Sequence, residues 1–181
     1  MPARKPKLLD QEALMSYALR ALGGRAHSLG EIREKLRRRC SEAADVDAVM
    51  QRLKESGYLN DRQFAESFAA ARLENEGWGK MRVLRDLRQR RVAPKLAEQV
   101  VQKTFESSDE VELIEKFLAR KYRGKPLGQF LSEEKNLASA FRRLRYAGFS
   151  AGNSIRVLKR YAREPEALEG MEDGGAEESG E

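Results

Sequence analysis

The sequence is poor in the residues that build disulfides, metal sites and membrane spans. It has one cysteine, Cys40, and one histidine, His27, among 181 residues. One cysteine excludes a disulfide within the chain, and these two residues cannot supply the usual nitrogen and sulfur ligands of zinc. The longest uninterrupted apolar run is four residues, 68–71, whereas a membrane-spanning helix needs about 20. We therefore expect a cytoplasmic protein with no metal site and no membrane partner.

Candidate catalytic residues are equally scarce. A Ser-His-Asp or Cys-His system would need His27 as its base, but His27 directly precedes Ser28, which begins a helix-capping pattern. We expect a solvent-facing or capping side chain there, and a small buried side chain at Cys40. No phosphate-binding or dinucleotide-binding glycine pattern is present. The sequence predicts a protein that is not an enzyme, with no catalytic residue and no cofactor.

The charge is divided unevenly along the chain. Residues 1–163 hold all 35 lysines and arginines and 21 of the 29 acids, which gives +14, whereas residues 164–181 hold eight acids and no base. A basic body suits a polyanion such as nucleic acid or an acidic protein surface. The composition of 164–181 predicts disorder. Two roles stay open for this tail: a solubilising end, or a segment that folds back over the basic surface in place of DNA.

The apolar residues recur mainly at steps of three and four, which is typical of amphipathic helices. No sustained alternation predicts a strand. Ser28 and Glu31 have the spacing of a capping box, and Asn60 or Asp61 can cap the helix that follows them. We expect six aromatic residues to lie in the core, namely Tyr58, Phe64, Phe68, Tyr146, Phe149 and Tyr161.

An internal repeat organises these helices. Leucine precedes valine by 13 residues three times, at Leu36 and Val49, Leu87 and Val100, and Leu144 and Val157. We predict an all-α fold, an elongated tandem array of three three-helix repeats of helix-turn-helix type that share apolar surface. The predicted segments are a basic N-terminal arm at 1–10, three-helix repeats at 11–60, 61–107 and 108–163, and an acidic disordered tail at 164–181.

Arginine-rich helices form the predicted binding surface. Between Lys80 and Arg91, the apolar residues share one helical face and most arginines point away from it. Arginine binds phosphate and carboxylate through two parallel hydrogen bonds. Trp78 is a candidate aromatic contact for a base, or it packs across the joint between two helices. The candidate filament or DNA contacts are Arg37, Arg38, Lys80, Arg82, Arg85, Arg88, Arg142, Arg143, Arg145, Lys159 and Arg160.

Three sequence blocks resemble the RecX family. The first spans 18–36 and contains the capping pattern; the second, 52–65, contains Gly-Tyr-Leu-Asn-Asp followed by Phe64 and Ala65; the third, 77–92, is the glycine-to-leucine signature helix. Together they cover roughly residues 13–106, and their order makes the resemblance specific. The third repeat fits the family in length and pattern but is less specific.

The resemblance implies a bacterial regulator of the RecA recombinase, acting in DNA repair, homologous recombination and the SOS response. It implies a modular protein that binds along the groove of the RecA filament on single-stranded DNA. Family members restrain ATP hydrolysis, strand exchange and co-protease activity, and they contact single- and double-stranded DNA without strong sequence preference. A monomer is expected.

Two other functions stay open. The first is a stand-alone helix-turn-helix DNA-binding protein or transcription regulator. Basic faces that are spread over three repeats and are nearly all arginine favour phosphate contact over base readout. The second is a scaffold that binds an acidic protein with no nucleic acid present.

Overall fold

The structure, a computed structural model, describes residues 8–162. The predicted all-α fold is confirmed for this range, where the only extended pairing is an isolated bridge between Leu9 and Cys40. A π-helical segment, Arg72–Glu76, continues the fourth helix. The helices are α1 (Gln11–Gly24), α2 (Leu29–Arg37), α3 (Ala43–Glu55), α4 (Asp61–Ala71), α5 (Lys80–Gln89), α6 (Pro94–Thr104), α7 (Glu110–Lys121), α8 (Leu127–Leu131), α9 (Glu134–Tyr146) and α10 (Ala151–Leu158).

Residues 1–7 of the predicted basic arm and the predicted acidic tail at 164–181 lie outside the described residues. The boundaries of the three repeats and the elongated shape of the array stay predictions. No helix within residues 8–162 is long and apolar enough to cross a membrane.

The predicted helix starts are confirmed. The Ser28 hydroxyl oxygen accepts a hydrogen bond from the Glu31 N–H at 3.0 Å, and the Glu31 carboxylate accepts one from the Ser28 N–H at 3.2 Å. This reciprocal pair is the capping box of α2. The Asn60 side chain caps α4 by accepting from the Gln63 N–H at 3.0 Å. Asp61 instead accepts from the Leu29 N–H at 2.7 Å, which fastens the start of α4 to the start of α2.

The chain divides into two compact units. The first unit comprises residues 8–69 and 86–100, and the second comprises 70–85 and 101–162. The core of the first unit is built on α1, α2 and α3, and its fully buried large side chains are Leu14, Ile32, Leu36, Met50 and Leu53. The core of the second unit is built on α7, α8, α9 and α10, and its fully buried large side chains are Ile114, Leu118, Leu131, Leu144, Phe149 and Leu158.

The 13-residue repeat marks core positions. All six of its members are buried, with exposures between 0% and 2%. The segment between α7 and α9, residues 122–133, contains the short helix α8, whose Leu131 is buried in the second unit's core. Its Phe130 ring lies 5.0 Å from the Tyr122 ring. Apolar side chains therefore fasten this joint to the core instead of leaving it as a bare linker.

The starts of α2 and α5 each donate a hydrogen bond to a backbone carbonyl in a turn after another helix. In the first unit the Ser28 hydroxyl donates to the carbonyl of Arg90, and in the second unit the Gly79 N–H donates to the carbonyl of Ala147 at 2.8 Å. Ser28 directly precedes α2, and Gly79 directly precedes α5. Arg90 lies in the turn after α5, and Ala147 lies in the turn after α9. The approach at Gly79 is close, because an added Cβ would lie 2.5 Å from the Gly148 carbonyl. The turn after α9 thus seats the start of α5.

Two predicted core aromatic residues are exposed. Tyr58 is 56% exposed and Tyr146 is 63% exposed, so the prediction that they lie in the core is wrong. Phe149 is fully buried, and Tyr161 packs against the second core. Both exposed tyrosines lie at or just after a helix end, where helical periodicity places a side chain at the rim of the core rather than inside it.

Candidate nucleic-acid interface

An open groove of about 1070 Å³ lies on the surface of the second unit. Three segments line it: residues 75–78, which comprise the end of the π-helical segment and the loop after it, the last turns of α7, and α9 with the residue that follows it. We call it the basic groove, because its charged lining residues are four cations and one acid, Arg120, Lys121, Arg142, Arg143 and Glu76. Its aromatic lining residues are Trp78, Phe117 and Tyr146.

The end of α7 is fastened to the loop that carries Trp78. The Arg120 guanidinium donates to the backbone carbonyl of Asn75 at 3.0 Å. Gly77 has φ +60°, and a Cβ at this position would lie 3.2 Å from the Arg120 guanidinium. A residue without a side chain therefore suits both the left-handed turn and the approach of Arg120. This contact places Arg120 and Lys121 on one wall of the groove.

Trp78 is held in a network of aromatic and charged groups. Its indole N–H donates to the Glu76 carboxylate, which also accepts from Arg72. The Trp78 and Tyr146 rings meet edge to face with centroids 6.5 Å apart. The Arg82 guanidinium carbon lies 4.6 Å from both ring centroids. Trp78 is half-buried and packs against the second core, whereas Tyr146 remains mostly exposed.

The groove has the chemistry to bind an anionic polymer that carries planar aromatic groups. The side chains of Arg120, Lys121, Arg142 and Arg143 are exposed, so they can reach phosphates without desolvation of a buried charge. Tyr146 offers an exposed aromatic surface. Cations that follow a backbone, beside an aromatic ring on which bases stack, form the usual combination for single-stranded nucleic acid.

The structure brings together only part of the predicted contact surface. Trp78, Arg142 and Arg143 line the basic groove. Arg85 lies beside it and donates to the Tyr146 carbonyl at 3.3 Å. Arg82 was predicted to point outward, but it is half-buried and contacts the two aromatic rings, so it also supports the groove.

The other predicted contacts do not line this groove. Arg37 and Arg38 are exposed in the first unit, where Arg38 pairs with Glu34 at 3.0 Å and Arg88 pairs with Glu98 at 2.8 Å. In the second unit the remaining predicted residues have partners of their own or are half-buried. Lys80 donates to Gln102, Arg145 donates to the Phe149 carbonyl at 2.6 Å, Arg160 pairs with Glu115, and Lys159 is half-buried.

Sequence reasoning missed three groove residues, Arg120, Lys121 and Tyr146. The first two are adjacent basic residues in the last turn of a periodic helix, which was the available signal. Their closeness to Arg142 and Arg143 depends on how α7 and α9 pack, and spacing along the chain does not reveal this packing. Tyr146 was assigned to the core instead of the surface.

The first unit has a different hollow, of about 920 Å³, with an apolar floor that includes Leu22, Phe64 and Phe68. His27 lines it and is only 6% exposed, so the solvent-facing expectation for this residue is wrong. Its Nδ1 lies 3.3 Å from the Glu31 carboxylate. Burial and the neighbouring Arg25 hold the pKa of His27 below its ordinary value of 6.5. Cys40 is half-buried against the first core.

Within residues 8–162, no group of three histidine, cysteine or acidic side chains is placed to hold a metal ion.

Comparison with known proteins identifies two matching family models. One is described as RecX, first three-helix domain, and matches residues 15–53; the other is described as RecX, second three-helix domain, and matches residues 60–101. The first range contains α2 and most of α1 and α3, and the second contains α4, α5 and most of α6.

Three curated relatives carry the name regulatory protein RecX. The Deinococcus radiodurans protein is 41% identical over 103 residues, which are 55% of this chain and 48% of that protein. The Trichlorobacter lovleyi protein is 34% identical over 107 residues, 59% of this chain and 70% of that one. The Vibrio parahaemolyticus protein is 31% identical over 145 residues, 80% of this chain and 86% of that one. The match thus spans about half the length of the Deinococcus relative.

A solved structure has the same fold. The crystal structure of RecX from Lactobacillus salivarius superposes with a TM-score of 0.62 at 20% sequence identity, over 84% of this chain and 96% of that one. A second crystal structure, of a regulatory protein RecX, gives a TM-score of 0.61 at 20% identity. At this identity the likeness concerns the fold alone.

Proposed function

Because the chain belongs to the RecX family, we propose that it is a regulatory protein that binds the filament of the RecA recombinase on single-stranded DNA. Its effect is mainly to inhibit ATP hydrolysis, strand exchange and co-protease function. It acts as a cytoplasmic monomer without catalytic activity of its own. The observation that supports this function best is the basic groove, where four cations lie beside three aromatic residues.

The groove supplies the contacts that a nucleoprotein filament needs. Arg142 and Arg143 bind phosphates, and Tyr146 stacks on a base that the filament exposes. Exposed arginines outside the groove, such as Arg37 and Arg38, add sequence-independent contacts to phosphate or to acidic protein surface. Binding inhibits because it blocks the path of incoming duplex and favours a less active filament. The shift is limited by the difference in the protein's affinity for the two filament states.

The test is the ATPase rate of the cognate RecA on single-stranded DNA, titrated with this protein beside a binding assay on the same DNA without RecA. We expect inhibition at protein concentrations too low to coat bare DNA. Tight binding to bare DNA without inhibition would instead favour a stand-alone DNA-binding protein or transcription regulator. Inhibition without any need for DNA would favour a scaffold for acidic proteins.

Two charge-matched variants locate the contact. Arg142→Gln with Arg143→Gln removes two cations from the groove, whereas Arg123→Gln with Lys135→Gln removes two exposed cations of the second unit that lie outside it. The groove variant should bind single-stranded DNA with a salt slope smaller by about 1.4, the value for two phosphate contacts. It should also require more protein for inhibition than the control variant. Equal behaviour of the two variants would remove the groove from the proposal.

A further inference from the structure

The basic groove and the acidic end of the sequence belong to the same chain and carry opposite charge. Residues 164–181 contain eight acids and no base. The groove has four exposed cations and the single acid Glu76, which already accepts hydrogen bonds from Trp78 and Arg72. Carboxylates pair with arginine through the same two parallel hydrogen bonds that phosphates use. A ligand with the charge of nucleic acid is therefore attached to the protein itself.

The described chain ends close to the groove-forming helix. Tyr161 and Ala162 pack against the second core, and Arg160 pairs with Glu115 on α7. Arg120 lies five residues further along the same helix, which is about 7.5 Å of rise. The 18 residues from 164 to 181 can extend to about 60 Å at most. This length is enough to pass around a helix of about 10 Å diameter and enter the groove.

The acidic segment also carries apolar residues that suit the groove. Leu168 and Met171 are three residues apart, and acids lie on both sides of them. The groove wall presents Trp78 and Phe117 beside its cations. An acidic segment with two apolar side chains matches this surface in both charge and polarity.

We propose that residues 164–181 occupy the basic groove of their own chain and compete there with single-stranded nucleic acid. The competition between this segment and nucleic acid rests on the proposed function, whereas the binding of the segment in the groove does not. Attachment gives the segment an effective concentration of about 1 mM at the groove. If the segment binds the groove with an intrinsic Kd of about 1 mM, it would occupy the groove in half of the molecules. DNA has to displace the segment, so its apparent affinity falls by about twofold.

Trp78 tests the occupancy without any DNA. It is the only tryptophan of the chain, and it lines the groove. Acrylamide, an uncharged quencher, measures how accessible its ring is. The comparison is between the full chain and a full-length variant with a neutral tail, made by E164Q, E166Q, E169Q, E172Q, D173N, E177Q, E178Q and E181Q.

We expect the quenching constant of Trp78 to rise by about twofold in the neutral-tail variant at about 10 mM salt, where the Debye length is about 30 Å. The two chains should become alike at about 1 M salt, where it is about 3 Å. R142Q with R143Q should raise quenching in the same way, and R123Q with K135Q should not. Equal quenching of full chain and neutral-tail variant at low salt would overturn the proposal. Protection that grows with protein concentration would also overturn it, because the occupant would then be a second copy's segment.

DNA binding gives the second arm of the test. Neutralising the tail should strengthen binding of single-stranded DNA at low salt by at least about twofold, and by less when R142Q and R143Q are already present. An equal gain in both backgrounds would place the effect of the tail outside the groove. If RecA proves not to be the partner, the quenching result still stands, so failure of the proposed function and failure of this inference are distinguishable.

Discussion

At the scale of single residues, the Glu31 carboxylate connects several groups of the first unit. Its carboxylate accepts hydrogen bonds from Arg25 at 3.0 and 3.3 Å, from Arg90 at 3.0 Å and from the Ser28 N–H at 3.2 Å. Burial acts to raise the pKa of Glu31, but these hydrogen bonds outweigh it and lower the pKa from 4.5 to about 2. The ionised carboxylate therefore joins the α2 cap to the turn after α5.

This residue makes stability depend on pH. A carboxyl whose pKa is lower in the folded state contributes fully above pH 4.5 and loses its contribution as the pH falls toward about 2. The shift corresponds to about 3 kcal/mol at neutral pH. His27 also makes the folded state less stable as the pH falls, and its effect begins at a higher pH, near 6.5. Because the pKa of His27 is lowered in the folded state, the imidazole of the unfolded chain takes up a proton more readily.

We predict that Glu31→Gln lowers the free energy of unfolding by about 2 to 3 kcal/mol at pH 7 and by much less near pH 2. Urea unfolding followed by circular dichroism at several pH values measures this difference. The control is Glu34→Gln on the same helix, whose partners Arg38 and Arg91 are 72% and 54% exposed, so its loss should stay below about 1 kcal/mol. A Glu31→Gln profile parallel to that of the unchanged chain from pH 5 to pH 2 would contradict the assignment.

At the scale of elements, the turn after α9 determines how α5 begins. Gly148 has φ +90°, its carbonyl accepts from the Met81 N–H at 3.1 Å, and an added Cβ would collide with the backbone of Arg82. Gly124 also has a positive φ, +80°, but no atom lies within 4 Å of its added Cβ. Substitution of Gly124 tests backbone strain alone, whereas substitution of Gly148 tests backbone strain together with close packing.

Alanine at Gly124 should cost about 1 kcal/mol, the strain of a left-handed residue. Alanine at Gly148 adds a collision with backbone in a packed region, so the loss should reach about 3 kcal/mol or more. Urea unfolding followed by Trp78 fluorescence measures both variants. Losses of equal size would show that the contact between α5 and the turn after α9 is looser than the structure has it.

Elements also show how far the sequence predicts this protein. The capping box of Ser28 and Glu31 was predictable, because its atoms belong to residues three positions apart. The buried pair of Leu36 and Val49 was predictable too, since periodicity identifies a core face. Tyr146 was not, because periodicity alone does not say where the core ends. The basic groove joins residues 75–78, 117–121 and 139–147, and only tertiary packing makes them neighbours.

At the scale of the whole molecule, α5 and α6 each contribute residues to both units. Residues 80–85 of α5 belong to the second unit and residues 86–89 to the first. In α6, residues 94–100 belong to the first unit and residues 101–104 to the second. Helical fragments of four to seven residues are far below the length of about 12 to 15 residues at which isolated helices become even marginally stable. Unfolding of one unit should therefore remove the helical ends that the other unit needs.

We predict from this continuity that the chain unfolds in one transition. Glu31→Gln lies in the first unit and Trp78 in the second, so Trp78 fluorescence and circular dichroism should show the same shift of the urea midpoint in this variant. Gly148→Ala supplies the reverse case, because a change in the second unit should move the whole circular dichroism transition without splitting it. If the urea midpoint measured by Trp78 fluorescence did not change in Glu31→Gln, the two units would be independently stable. The shared helices would then be stable as separate halves, against the length dependence of helix formation.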